Sequence, residues 1–545
     1  MGENASPPAR CMNSIRGIQR LGFPLLCVVG VYAMPLAGRL PATNPNETAR
    51  IELAASIAFW ARLDITPAAE AYGVSEDVAF REGRMYSDKA PGLSLAGIPI
   101  LWIIEGILPR EAATDLPSYW PVRHLLTFLL VAIPTAGLAF LISSVVPGAD
   151  PHQRSALAVV TALATPLWTY ATVFFGHAPA ALMILIAWVL LLRLGMAPAT
   201  LDRRSALLGG VAAGLAFSAE YPTILLVAVI FGVLVIRRTP LPILGLAAAA
   251  ALAGAAPALL YHHLAFGAPW LTGYTFKANA DFQAIHTTGI LGIAWPTLES
   301  IWGVLFSAKR GIFYFCPVLL LAPLGLHIMV QRDRWRDAAP IVAGVALYLF
   351  FAAGFVDWEA GWCAAARHLI PVIPLLAIPS LAAVVRIGRS AWGSVAVVML
   401  VAVSAIHAML SIAVTPFFPP QFLTPLAQIV IPSFIDGAAA QNFVSNFTGI
   451  AAQPVIFIMG FAVVMTLALS VIRLVRDRSW WYHLVFAATI SITLAGLVWQ
   501  GSQPTAETEF MRSQVLRRIG YPSIAEGIES GITLPTGGRD SGGEQ

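Results

Sequence analysis

Long apolar runs recur along almost the whole chain, and they constrain its fold more than any other feature. Crossing the ~30 Å hydrocarbon core of a bilayer takes a helix of about 20 apolar residues. Of the 545 residues, 58% are hydrophobic and 11% are charged, whereas soluble proteins keep about a quarter of their residues charged. The chain is therefore predicted to be an all-α polytopic membrane protein rather than a soluble enzyme.

The apolar runs predict about thirteen transmembrane helices. The basic and then apolar start of the chain is similar to a cleaved signal peptide, but the many later spans favour a first signal-anchor helix. The apolar segment 93–108 is short for a span and is interpreted as an interfacial or re-entrant helix, with a fourteenth span as the alternative. The predicted spans are 21–38, 124–146, 155–173, 177–193, 205–219, 221–236, 240–261, 311–331, 339–356, 368–385, 391–411, 453–472 and 481–499.

Arginines in the connecting segments predict the orientation. With the N-terminus in the cytoplasm, every short inside loop carries arginine, as the positive-inside rule requires. The excess of arginine over lysine suits a GC-rich bacterial genome, so we expect a multi-pass protein of the bacterial inner membrane with a periplasmic C-terminus. The outer segments would then be the long first loop 39–122, the loops 262–310, 357–367 and 412–452, and a polar tail from residue 500.

Several classes of site are not indicated. The four cysteines, Cys11, Cys27, Cys316 and Cys363, have neither a disulfide framework nor zinc-site spacing. No nucleotide-binding loop or dinucleotide fingerprint is present. The arginine cluster at 332–336 is a topology signal, so nucleic acid is not expected as a partner. Any chemistry is expected in the membrane or at its outer face.

The first outer loop begins with the segment Asn46-Glu47-x-x-Arg50. Asn46 is a good N-cap, and an amphipathic helix is expected to follow it. The structural interpretation of Glu47 is a first-turn acid that forms an i,i+3 ion pair with Arg50.

A second polar segment of the same loop concentrates cations beside a Pro-Gly turn. Arg81, Arg84 and Lys89 precede Pro91-Gly92, and turn amides next to cations suit an anion. All three lysines, Lys89, Lys277 and Lys309, fall on the predicted outer side. A compact ammonium suits phosphate. The alternative for Lys89 is an internal ion pair with Asp88 or Glu52.

These two segments resemble motifs of the GT-C superfamily of lipid-carrier-dependent glycosyltransferases, which includes the aminoarabinose transferase of lipid A and the protein O-mannosyltransferases. Asn46-Glu47-x-x-Arg50 resembles the acidic first-loop motif. Tyr86-Ser-Asp88-Lys89-Ala-Pro91-Gly92 looks like the Tyr-x-x-Lys-Pro-Pro motif, and more closely like the Tyr-Ser-Asp-Lys-x-Pro-Gly version of uncharacterised bacterial members. Weaker similarities follow at Phe175-Gly176-His177, Glu220-Tyr221-Pro222, Phe266-Gly267-x-Pro269, Lys309-Arg310-Gly311, Trp358-Glu-Ala-Gly361-Trp362 and Arg367-His368.

The resemblance also has limits. Many relatives have Asp-Glu or Asp-Asp where this chain has Asn46-Glu47, which weakens the case for a metal bound at the motif. Beyond about residue 390 the resemblance ends. The domain organisation we predict is a GT-C-like catalytic module at 1–390, C-terminal transmembrane helices at 391–499 and a partly disordered periplasmic tail at 500–545. The region after 390 is a candidate for acceptor recognition.

Members of the superfamily transfer a sugar from a polyprenyl-phosphate carrier at the extracytoplasmic face, with inversion of the anomeric centre. The resemblance implies this reaction here, with the carrier-linked sugar as donor, an unidentified periplasmic acceptor (envelope glycan, lipid or protein) and membrane lipid as partners. No cofactor is assigned, and a divalent metal requirement stays open. The implied general base is Glu47, with Asp77 or Asp88 as the alternatives. The implied phosphate contacts are Lys89, Arg84 and Arg367, and the alternative for Arg367 is an interfacial anchor at a helix entry. The implied supporting residues are Arg50, Asp77, Asp88, Tyr86, His177 and Glu220.

Two other functions compete with this one. A transporter or flippase of a lipid-linked sugar is the alternative, but transporters usually show inverted repeats and charges near the membrane midplane. Here the candidate charges lie on outer loops, and no second copy of the Glu47 or Lys89 segment is evident. A non-catalytic scaffold that kept the fold is the third hypothesis. The sequence favours chemistry at one face of the membrane.

Overall fold

A computed structural model describes residues 24–36, 44–73, 77–107, 119–195, 200–475, 479–502 and 504–531, with residues 119–120 and 280–282 described by their backbone alone. The first basic residues of the chain and the Gly-rich end predicted to be disordered lie outside these ranges. Within them the chain is almost entirely helical, with a single two-stranded sheet.

The first half of the described chain contains the first loop and the helices that pack beneath it. Its strands are β1 (Val78–Arg81) and β2 (Arg84–Ser87). Its helices are α1 (Pro24–Ala33), α2 (Pro45–Trp60), α3 (Thr66–Tyr72), α4 (Gly92–Ile107), α5 (Tyr119–Thr127), α6 (Ile133–Val145), α7 (Pro151–Leu163), α8 (Leu167–Ala171), α9 (His177–Leu191), α10 (Arg203–Ala219), α11 (Ile224–Ile236) and α12 (Leu241–Phe266). The π-helical turn Phe128–Ala132 connects α5 to α6.

The second half completes the bundle and ends in two short helices. Its helices are α13 (Ala280–Thr287), α14 (Leu298–Leu305), α15 (Ile312–Phe315), α16 (Ala322–Gln331), α17 (Trp335–Gly354), α18 (Ile373–Ile387), preceded by the 3-10 turn Arg367–Val372, α19 (Ala391–Ala413), α20 (Ile431–Ile435), α21 (Phe443–Thr448), α22 (Ala452–Ile472), α23 (Trp481–Gly501), α24 (Ala506–Arg518) and α25 (Pro522–Gly531).

Seven helices in the described ranges are long and apolar enough to cross a membrane. Shorter apolar helices lie among them, so the total of thirteen stays a prediction. The chain is an all-helical, polytopic membrane protein. The seven helices are Pro121–Val145, Leu241–Phe266, Trp335–Gly354, Arg367–Ile387, Ala391–Ala413, Ala452–Ile472 and Trp481–Gly501.

Two segments predicted as single spans are divided in the structure. In the segment 155–173, α7 ends at Leu163 and α8 starts at Leu167. In the segment 311–331, α15 is separated from α16 by the 3-10 turn Pro317–Leu321. Pro166 and Pro317 stand at these breaks, where proline removes an N–H donor and its ring excludes a continuous α-helix. The breaks bring polar backbone groups and helix ends into the interior of the bundle.

Glycines allow α10 and α12 to approach each other closely. A Cβ on Gly214 would collide with the carbonyl oxygen of Ala251, and a Cβ on Gly254 would collide with that of Val211. Small residues of this kind let helix backbones pack at short distance inside a membrane. The contact fixes the ends of the two helices, where Glu220 and His262 lie, relative to each other.

The helix after the first apolar segment differs from the sequence prediction. Its N-cap is Asn44 rather than Asn46, because the Asn44 side chain accepts a hydrogen bond from the Asn46 amide at 3.0 Å. The predicted amphipathic helix α2 has 13 buried residues among its 16. It is buried because α4 packs along it, where Gly97 faces Ala54. With 16 residues, α4 is shorter than a typical span.

The C-terminal helices α24 and α25 dock on two segments that the sequence predicts as outer loops, instead of extending away. Arg512 bridges to Asp436 at 2.5 Å, and the Tyr521 hydroxyl bonds to the backbone of Ala439. The Arg518 guanidinium lies 4.7 Å from the centre of the Trp362 ring. Described residues of the predicted tail are therefore ordered against the loops 357–367 and 412–452.

Candidate functional site

The Glu47 carboxylate is buried at the first turn of α2. Its side chain is 1% exposed, and its Oε2 accepts a bond from Arg123 Nε at 2.8 Å. Its Oε1 accepts a bond from the Phe174 backbone amide at 2.8 Å. Glu47 is thus paired with an arginine 76 positions away instead of with Arg50, and the predicted i,i+3 ion pair is wrong. Each carboxylate oxygen keeps a second lone pair.

Arg50 bonds to a different acid. Its Nη2 lies 2.7 Å from Glu220 Oε1, and its Nη1 donates to the Ala90 carbonyl at 2.8 Å. His177 Nδ1 approaches the same Glu220 oxygen at 3.1 Å. The close approach depends on Gly176, where a Cβ would collide with the Ala219 carbonyl. Arg50, His177 and Glu220, all predicted as supporting residues, are therefore brought together.

A cluster of alternating charges lies beside Arg50. Lys89 Nζ is 3.0 Å from Asp77 Oδ2 and 3.3 Å from Asp88 Oδ1. Lys277 also bridges both acids, at 3.4 Å to Asp77 and closely to Asp88. The backbone supports the arrangement through an antiparallel bridge between Ala79 and Lys277. We call Asp77, Asp88, Lys89 and Lys277 the Lys–Asp cluster.

The Lys–Asp cluster pairs side chains of opposite formal charge and is partly closed by aromatic rings. Burial alone would raise the pKa of Asp77, but Lys89 and Lys277 outweigh it and hold this pKa well below its usual range. The Tyr274 ring lies 5.9 Å from Lys89 Nζ and 5.6 Å from Lys277 Nζ, and His286 stacks on Tyr274 at 4.4 Å. Two cations and two anions leave the cluster with no net charge.

Arg367 adds a further cation beside the Lys–Asp cluster. It lies close enough to Asp77 to lower the pKa of that acid further. In the part of the chain that the structure describes, its guanidinium makes no hydrogen bond or ion pair, and its Nε is fully buried. The adjoining His368 stacks on His177 at 6.2 Å between ring centres. Arg367 as a whole is half-buried, and an anion would satisfy the buried part of its guanidinium.

The loop that carries Arg367 is held by polar bonds to its backbone. Arg310 donates to the carbonyls of Glu359 at 2.8 Å and Gly361 at 2.7 Å. Asn44 Nδ2 donates to the Trp362 carbonyl at 3.0 Å, which connects the loop to the start of α2. The Trp358 ring packs against Gly303, so both tryptophans of the segment take part in packing within this face. The loop is fixed before any ligand binds.

Two predicted residues lie apart from this constellation. Arg84 is exposed at the turn of the β1–β2 hairpin, where it pairs in register with Arg81. The Tyr86 ring packs 5.6 Å from Phe266, in a small apolar cluster beneath the hairpin. The structure does not bring Arg84 to the Lys–Asp cluster, because the strand separates it from Lys89.

Sequence reasoning missed three participants. Arg123 lies at the start of a predicted span, where an arginine is an ordinary interfacial residue. Tyr274 and Lys277 lie in the loop after α12, and the one signal for them was the placement of all three lysines on the predicted outer side. Nowhere in the described ranges do three or more His, Cys, Asp or Glu side chains group as metal ligands would.

Glu220 predicts a specific pH dependence of stability. It lies in the connection after α10, and burial alone would raise its pKa, but His177 and Arg50 lower it from 4.5 to about 2. A lowered folded-state pKa means that the stabilisation is complete above the unfolded value and is lost as the pH falls toward the folded value. A shift of this size corresponds to about 3 kcal/mol.

The measurement compares the unfolding of wild type and Glu220→Gln in detergent from about pH 6 down to about pH 2. The stability difference between the two proteins should shrink as the pH falls, because protonation removes the same charge that the substitution removes. A difference that stays constant over this range would show that Arg50 and His177 do not stabilise ionised Glu220.

Comparisons with known proteins give weak overall similarities. No protein-family model matches the sequence, and no curated protein matches it. The structure is similar to that of ArnT from Cupriavidus metallidurans bound to undecaprenyl phosphate, at 15% identity and a TM-score of 0.49, covering 93% of this chain and 78% of that one. It is also similar to the archaeal oligosaccharyltransferase AglB from Archaeoglobus fulgidus in complex with an inhibitory peptide and a dolichol-phosphate, at 11% identity and a TM-score of 0.42, covering 88% of this chain and 56% of that one.

Proposed function

We propose that the chain is an inverting glycosyltransferase that moves a sugar from a polyprenyl-phosphate carrier to an acceptor at the face of the membrane formed by its first loop. The observation that carries the proposal is Arg367, a half-buried cation whose buried Nε has no hydrogen-bond partner in the described ranges, next to the Lys–Asp cluster. A phosphate at headgroup depth supplies the anion that this cation lacks. The motif resemblance at Glu47 and Lys89 supports the same chemistry.

Lys89, Lys277 and Arg367 are the proposed phosphate contacts. Arginine binds phosphate oxygens in a bidentate manner, and lysine adds a point charge with rotatable donors. An ammonium has three donors, and Lys89 directs two of them to Asp77 and Asp88, so one remains for a ligand. Asp77 and Asp88 would hold the two ammonium groups in position before the carrier arrives.

Glu47 is the proposed general base. In the reaction, the acceptor hydroxyl oxygen attacks the anomeric carbon while the bond from that carbon to the phosphate oxygen breaks. The hydroxyl proton moves to Glu47, and the leaving polyprenyl phosphate keeps the electron pair and is stabilised by the cations. A single displacement inverts the anomeric centre. His177, Glu220 and Arg50 would maintain the geometry between the base and the phosphate site.

The placement of these groups supports a transferase over a flippase. Arg123, His177 and Arg367 stand at the starts of their apolar helices, and Glu220 follows the end of α10. A transporter places its substrate site near the membrane midplane, whereas these groups share one end of the bundle. The arginine-bearing loops support a periplasmic location for this end, in a bacterial inner membrane with a cytoplasmic N-terminus.

The test is sugar transfer in proteoliposomes. A panel of polyprenyl-phosphate sugars is supplied with envelope extracts as acceptors, and donor loss and product formation are measured. Lys89→Ala should weaken donor use by about 10- to 100-fold, the range expected for a lost charge-assisted hydrogen bond. Arg84→Ala is the matched control, because Arg84 is an exposed cation of the β1–β2 hairpin that precedes Lys89, and it should change donor use little.

Two results would contradict the proposal. Equal losses for Lys89→Ala and Arg84→Ala would show that the Lys–Asp cluster is not the phosphate site. Absence of turnover with every donor, combined with movement of the intact lipid between leaflets, would establish the flippase instead.

A further inference from the structure

A cavity opens between Arg123, the ion-pair partner of Glu47, and the segments 414–417 and 439–441. Its volume is about 70 Å³, enough for several waters at ~10–15 Å³ each. Arg123, Thr415 and Gln441 are its polar lining, and the remaining lining is mostly apolar. The apolar lining residues are Pro35, Val414, Pro416, Phe417, Ala439, Ala440 and Ile519.

The cavity is connected to the proposed base through one side chain. Arg123 lines the cavity and also donates to Glu47 Oε2 at 2.8 Å. A second connection is aromatic, because Phe417 of the cavity wall lies 6.1 Å from Phe175. Phe175 adjoins Phe174, whose amide bonds to Glu47. A ligand in this cavity would therefore contact Arg123, one of the two residues that bond to the Glu47 carboxylate.

The cavity lining comes mostly from elements outside the region of motif resemblance. The Phe418 carbonyl accepts bonds from Arg310 Nη2 at 2.9 Å and from the Cys363 amide at 3.2 Å, which holds the segment that follows α19. The Tyr521 hydroxyl accepts a bond from the Ala439 amide at 3.1 Å. Loop 412–452 and the C-terminal helices thus build a site whose shape does not depend on a ligand.

We infer that this cavity is the acceptor subsite and that the acceptor carries a phosphate or carboxylate group that binds Arg123. The inference rests on the proposed function. Arginine prefers planar, bidentate recognition of these anions, and Thr415 and Gln441 supply donors and acceptors for hydroxyl groups. The carrier phosphate is assigned to other cations, on the far side of Arg50.

The two subsites meet at α2. Glu47 and Arg50 lie within one turn of α2, and Glu47 contacts Arg123 while Arg50 contacts Glu220 and the Ala90 carbonyl. An anion held by Arg123 would place a neighbouring hydroxyl group of the acceptor next to Glu47. It would also share the guanidinium with Glu47 and so weaken the bond that holds the base. The acceptor would then prepare the base for proton transfer.

The first experiment measures anion binding with the carrier site already filled. Wild type in phosphatidylcholine nanodiscs is saturated with a polyprenyl phosphate, and equilibrium binding of radiolabelled glucose 6-phosphate and of glucose is measured. Glucose 6-phosphate should bind and glucose should not. Arg123→Gln should weaken this binding by about tenfold or more while polyprenyl-phosphate binding stays unchanged.

Two further variants distinguish the effect of filling the cavity from the effect of removing a charge. Ala440→Trp fills the cavity without removing a charge and should also weaken glucose 6-phosphate binding by about tenfold or more. Ala506→Trp, at an exposed position of the nearby α24, is the matched control and should bind like wild type. Undiminished binding to Arg123→Gln or to Ala440→Trp would overturn the inference.

The source of the anion is distinguished by a second arm. Phosphatidylglycerol, which has a phosphate and free hydroxyls, is added to the nanodiscs in place of part of the phosphatidylcholine. Competition with glucose 6-phosphate would assign the subsite to a lipid headgroup, and absence of competition would assign it to a soluble or glycan-borne anion. If wild type binds no polyprenyl phosphate, the proposed function fails and the role of the cavity as an acceptor subsite fails with it.

Discussion

Replacing Glu47 by glutamine is expected to lower the rate of sugar transfer by about 10²- to 10⁴-fold, the contribution typical of a general base, with carrier binding unchanged. The substitution keeps the size of the side chain and one oxygen acceptor but removes the ability to take the hydroxyl proton. The bond from the Phe174 amide to Glu47 Oε1 can persist with the amide oxygen of glutamine.

A loss of protein stability must be distinguished from this loss of catalytic rate. Glu47→Gln weakens the contact with Arg123 and should cost about 1–3 kcal/mol of stability, since a buried charge loses its partner. The rate and the free energy of unfolding are therefore measured on the same preparations. Transfer is compared at donor and acceptor saturation, where reduced binding no longer contributes.

Glu52 offers the matched control on the same helix. Its side chain is fully buried, and neither carboxylate oxygen has a hydrogen-bond partner among the described residues. Burial raises its pKa to about 8, so the carboxyl is mostly neutral near pH 7 and resembles glutamine in charge. Glu52→Gln should leave transfer nearly unchanged. If Glu47→Gln retained activity comparable to Glu52→Gln, Glu47 would be a structural partner of Arg123 and not the base.

The sequence predicts the transmembrane architecture well because a helix must be long and apolar enough to cross the membrane. Predicted spans such as 453–472 and 481–499 agree closely with α22 and α23. Agreement fails where proline interrupts an apolar run, as at Pro166 and Pro317, since hydropathy alone does not report the lost backbone bond.

The sequence predicts which residues lie at the site, but it does not predict which residues pair with each other. Glu47, Arg50, Asp88 and Lys89 are identified by local segments, and these residues do meet at one face. Their partners come from elsewhere in the chain, because Arg50 pairs with Glu220, 170 positions away, and Lys89 shares its acids with Lys277.

Burial explains why the local prediction failed. An exposed i,i+3 pair between Glu47 and Arg50 would contribute only ~0.2–0.5 kcal/mol. Inside the protein each charge needs a close partner and further hydrogen bonds, and Arg123 and Glu220 supply them at 2.8 Å and 2.7 Å. Tertiary contacts therefore override the helix spacing that the sequence makes visible.

The second large effect is expected at Arg310, whose replacement by methionine should destabilise the fold by about 3–5 kcal/mol, the range for a buried charge network that loses one partner. The side chain is fully buried. It donates to the carbonyls of Lys309, Glu359, Gly361 and Phe418 at 2.7–3.0 Å. Methionine fills similar volume but leaves these oxygens without donors, and each unsatisfied buried group costs about 1–3 kcal/mol.

Arg310→Met should also weaken ligand binding, which is not expected for an ordinary core residue. Its bonds join the loop that carries Arg367 to the segment that forms the cavity wall at Phe417, so Arg310→Met should weaken polyprenyl-phosphate and glucose 6-phosphate binding together. Arg334→Met is the control, because Arg334 forms a partly exposed i,i+3 pair with Asp337 and should cost at most ~1 kcal/mol. Chemical denaturation in detergent and the two binding assays are run on both variants. Equal destabilisation by the two substitutions, or loss of one ligand alone, would show that Arg310 does not couple the carrier and acceptor sides of the site.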